Sequence, residues 1–122
     1  MLVHDKAHEL ARVLKTTPEF QTLKQLQTKL KDDTSAYKMF LDYRRKEIAY
    51  QAQLMSGQEP DPEQGQSLQK LSGIVNLNSV VREYIQAEAR FGTIYNDIQR
   101  IIGDAIEEVS SIYTDEQEGG NN

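Results

Sequence analysis

Residues 77–112 read LNSVVREYIQAEARFGTIYNDIQRIIGDAIEEVSSI, and this stretch decides the fold. Stepping alternately by four and three residues from Leu77 passes through Val81, Tyr84, Glu88, Phe91, Tyr95, Ile98, Ile102, Ala105, Val109 and Ile112. All but Glu88 are apolar or aromatic. A strand would repeat every second residue, whereas this spacing selects an α-helix with a heptad seam. A parallel row, Val80, Ala87, Ile94 and Ile101, makes the stripe too wide for a two-stranded seam, so the helix faces more than one neighbour. Gly92 and Gly103 inside it each cost about 1 kcal/mol relative to Ala, and predict close helix contact or a bend.

About 35 helical residues make a rod of roughly 50 Å. A compact chain of this size has a diameter of only about 35 Å. The rod is therefore not fully covered within one compact subunit. Three or four wet seam residues would forgo several kcal/mol at about 25 cal/mol per Å². The expectation is a homodimer or higher oligomer, or a partner complex, with Val81, Tyr84, Glu88, Phe91, Tyr95, Ile98, Ile102 and Ala105 at the interface.

Outward from this helix, the rest of the chain also reads as helical. Asn76 to Asn78 caps the long helix, which is preceded by a short helix carrying Leu68, Leu71, Ile74 and Val75. That helix starts at Asp61-Pro62-Glu63-Gln64, with Asp as N-cap, Pro in the first position and Gln64 placed for a capping box. Gly57 and Pro60 break the chain before it. A helix ending near Met55 begins after Asp32-Asp33-Thr34-Ser35, and its expected inward face is Ala36, Tyr37, Phe40, Leu41, Ile48, Ala52 and Met55. Thr17-Pro18-Glu19 starts a helix with Phe20, Leu23, Leu26 and Leu30 on one side. The first helix, from about His4 to Lys15, aligns Val3, Ala7, Leu10, Ala11 and Leu14. The predicted fold is all-α, about five helices in an elongated bundle, as one domain over 1–113 with an acidic, Gly/Asn-rich flexible tail over 114–122.

Composition narrows the chemistry. The 122 residues hold no Cys, which excludes disulfides, a thiolate nucleophile, Cys-ligated zinc and iron–sulfur clusters held by this chain. Fourteen basic residues against nineteen acidic give a formal net charge of −5, which argues against a broad nucleic-acid footprint. No apolar run approaches the roughly 18 residues of a membrane span and no signal-peptide core opens the chain, so a cytoplasmic protein is expected.

Few side chains suggest catalysis. His4 and His8 stand at i and i+4, a spacing that suits one metal ion, but a third ligand is missing and the first turn is open to water. No metal, cofactor or catalytic residue is assigned. Glu88 is the one charge in the seam and needs a partner; Arg90 and the Tyr84 and Tyr95 hydroxyls are the candidates in the sequence. Its expected role is to fix register or partner choice. Lys38, Arg44, Arg45 and Lys46 form the only local basic patch, interleaved with Tyr37, Tyr43 and Tyr50. That patch supports an alternative reading as a nucleic-acid-associated module, although adjacent basic residues point in different directions around a helix.

The run Tyr84-Ile85-Gln86-Ala87-Glu88-Ala89-Arg90-Phe91, followed by Asp97-Ile98-Gln99-Arg100-Ile101-Ile102-Gly103-Asp104-Ala105-Ile106, resembles the bacterial YheA/YlbF/YmcA-like family, especially its YheA branch. The Thr17-Pro18-Glu19-Phe20 start, the Asp33 cap and the Gly57 to Pro62 loop agree with it, so the similarity spans about residues 4–108. The resemblance implies an all-helical cytoplasmic protein that associates through long helices. It also implies protein partners: the relatives YlbF and YmcA belong to a regulatory complex linked to ribonuclease Y, RNA processing and development. The cysteine-bound clusters of that complex do not carry over to a chain without cysteine. The resulting reading is a non-enzymatic helical oligomer acting through protein–protein interaction.

Overall fold

The computed structural model describes residues 1–119, which form five α-helices and no strand. They are α1 (Leu2–Thr16), α2 (Pro18–Asp32), α3 (Thr34–Met55), α4 (Pro62–Leu77) and α5 (Ser79–Gly119). Of the tail expected from Thr114, residues 120–122 lie outside the described residues. The chain divides into two compact units, Met1–Ala89 and a second that begins at Arg90, within α5.

The helix boundaries follow from capping chemistry. The Thr17 hydroxyl accepts from Phe20 N–H at 3.2 Å, with Pro18 in the first turn where no N–H is needed. Asp33 Oδ1 accepts from Ala36 N–H at 3.0 Å and starts α3. Asp61 Oδ1 accepts from Glu63 N–H at 3.0 Å, again with Pro at the start of the helix. Asn78 both ends α4 and begins α5, its Oδ1 accepting from Val80 and Val81 N–H at 3.0 and 3.1 Å. Leu77 therefore belongs to α4, exposed, and not to the seam of α5. Gly57 ends the α3 segment with φ +83°, a conformation that costs Gly nothing and other residues about 1 kcal/mol or more.

In the first unit α1 packs on α2, α2 on α3 and α3 on α4. Its core joins the end of α2 (Leu30), the start of α3 (Ala36, Phe40), the end of α4 (Val75) and the start of α5 (Val81, Tyr84). Leu23, Leu26, Tyr37, Met39, Leu71 and Ile85 pack around it, half-buried. Phe40 and Tyr84 meet edge to face, with ring centroids 5.1 Å apart. At Gly65 a Cβ would come within 3.3 Å of the Tyr50 hydroxyl, so the missing side chain lets α4 approach α3.

Burial departs from the apolar rows on two helices. On α1, only Leu14 of the apolar row is half-buried, and no residue of the helix is buried. On α3, Ala36 and Phe40 are buried, but Leu41, Ile48 and Met55 are 37%, 59% and 87% exposed. The physical reason is angular. Leu41, Ile48 and Met55 repeat every seven residues on a row about a quarter-turn around the helix from Ala36, Phe40 and Arg44. Ala36 and Phe40 of the latter row are buried in the core, with Tyr37, Met39 and Tyr43 packed against it.

Candidate interaction surface

The α3 row that begins with Ala36 and Phe40 continues to Arg44, and the α5 row that begins with Val81 and Tyr84 continues to Glu88. The two charges meet: Arg44 Nη2 donates to Glu88 Oε1 at 2.5 Å. Arg44 also lies over the Phe40 ring, 5.0 Å from its centroid, and its Nε sits 3.6 Å from Glu47 Oε1. Tyr43 donates to the other Glu47 oxygen at 3.0 Å. The Tyr84 hydroxyl lies close to Gln27 and Glu88. Burial acts to lower the Arg44 pKa, but the hydrogen bond to Glu88 and the charges of Glu88 and Glu47 outweigh it and raise the pKa above its usual value. Burial, reinforced by the Glu88 charge, raises the Tyr84 pKa against the opposing pull of Gln27 and Arg44.

The partner of Glu88 is thus Arg44, in place of the candidates Arg90 and Tyr95. The signal was present in the sequence: each of the two facing apolar rows carries one charge of opposite sign, one turn beyond its last buried aromatic ring.

Of the residues expected at an interface, Val81 and Tyr84 lie in the core of the first unit and Glu88 is half-buried beside them. Phe91 and Ile98 are half-buried, while Tyr95, Ile102 and Ala105 are exposed. Ile101, Ile102, Ile106, Val109 and Ile112 are between 52% and 75% exposed. They share one stripe of α5, so the second unit presents a continuous apolar face. A Cβ at Gly92 or Gly103 would meet nothing within 4 Å, which removes the close contact expected there.

The basic patch does not converge. Arg44 turns inward to Glu88, Lys46 pairs with Asp42 at 3.3 Å, and Lys38 and Arg45 are exposed, with Arg45 Nε donating to the Leu41 carbonyl at 3.3 Å. His4 and His8 are exposed on α1, and no group of three metal-ligating side chains is brought together among the described residues. An open depression of about 290 Å³ between α3 and α4 is lined by Lys46, Ala49, Gln64, Ser67 and Leu68, without converging charges. No helix among the described residues is long and apolar enough to cross a membrane.

The family described as "Control of competence regulator ComK, YlbF/YmcA" matches residues 3–107. This chain belongs to that family. Within it, relatives named UPF0342 protein include one from Halothermothrix orenii, 34% identical over 88% of this chain and 91% of the relative. Another, from Clostridium tetani, is 35% identical over 88% of this chain and 92% of its own length. The solved structure of a "Protein of Unknown Function (DUF964) from Bacillus stearothermophilus" has the same fold, with a TM-score of 0.76 at 22% identity, covering 90% of this chain and 96% of that one. In this chain the Arg44–Glu88 ion pair lies within the first unit, and the exposed apolar residues of α5 follow it in sequence.

Proposed function

We propose that this chain is a non-enzymatic cytoplasmic regulator that works by protein contact: it self-associates through the apolar face of α5 beyond Tyr95 and offers the assembled surface to partners that control a competence regulator. The observation that carries this reading is the run Ile101, Ile102, Ile106, Val109 and Ile112, all exposed on one helix face. Water-exposed apolar side chains in such a row mark an association surface. The family's description as a control element of the regulator ComK supports the regulatory half. The ribonuclease Y accessory proteins implied by the resemblance to YlbF and YmcA are the partners to test first.

The test joins assembly to function. Deleting the gene in its native host should change expression of a reporter driven by the competence regulator. The wild-type chain should restore it, and Ile102→Asp should not, while remaining folded. Equal restoration by both chains, or a wild-type chain sedimenting as a 14.0 kDa monomer at tens of micromolar, overturns the reading.

A further inference from the structure

We draw no further inference here: the strongest candidate, the exposed apolar row of α5 from Ile101 to Ile112, is already the association surface of the reading above, and nothing in the structure shows what covers it.

Discussion

Arg44 and Glu88 are each about one-third exposed, so their attraction is screened and their contribution to stability is modest. Their energetic signature is coupling. Removing either partner leaves the other half-buried beside Phe40 and Tyr84. Arg44→Ala and Glu88→Ala should each destabilise by about 1 kcal/mol, and a double-mutant cycle in urea should return a coupling of about 0.5–1 kcal/mol. Tyr84 makes a second prediction. Its folded-state pKa lies above the unfolded value, so the folded protein holds the phenolic proton more tightly. That contribution is fully present below about pH 10 and is lost as pH rises through the raised pKa. Melting temperature should fall on the alkaline side of about pH 10, and the Tyr84→Phe variant should lose that component of the fall. The opposed charges were legible in the sequence as single charges in two apolar rows. Their pairing was not, because the seam was read on α5 alone and Arg44 was counted with Arg45 and Lys46 as a surface patch.

Helix by helix, the start signals were written into short polar side chains. Thr17, Asp33, Asp61 and Asn78 each accept a backbone N–H in the first turn of a helix, because four such donors have no partner within the helix itself. Which row of a helix turns inward was less legible. On α3, apolar residues follow two rows about a quarter-turn apart, and local periodicity ranks neither above the other. Within α5, Gly92 and Gly103 carry a helix-propensity penalty without the close packing that would offset it. Gly92→Ala and Gly103→Ala should each raise stability by up to about 1 kcal/mol, measured by thermal melting with helicity followed by circular dichroism. A loss of stability at either position would reveal a neighbour that approaches the glycine in the assembled state.

At the scale of the whole molecule, the core of the first unit and the apolar face of the second make different demands on mutation. Leu30 and Val81 are buried in the core, so shortening them leaves a cavity; Leu30→Ala should cost about 2–5 kcal/mol in chemical denaturation. Ile102 is 53% exposed, so Ile102→Asp should leave the melting curve of dilute protein unchanged while shifting sedimentation at tens of micromolar towards the monomer. A large loss of stability in dilute Ile102→Asp protein would place this residue in a folding core and remove it from the association surface. The proposed self-association should make the wild-type melting temperature concentration-dependent, a behaviour Ile102→Asp should lose.

Several features were determined by sequence alone. The heptad run on α5, the four caps and the scarcity of breakers prescribe five helices, because capping and periodicity act within a few residues of each other along the chain. The zero cysteine count excludes thiolate chemistry from this chain. Tertiary structure decided which rows are covered. Burial depends on which elements meet, so Val81 and Tyr84 entered a core while Ile102 and Val109, three and four heptads beyond Val81 along the same seam, stayed in water. It also turned Arg44 from a member of a basic patch into the partner of Glu88, since an ion pair between residues 44 positions apart exists only once two helices lie side by side. The seam of the long α5 helix was visible from the outset; where the core ends along it became visible only in the fold.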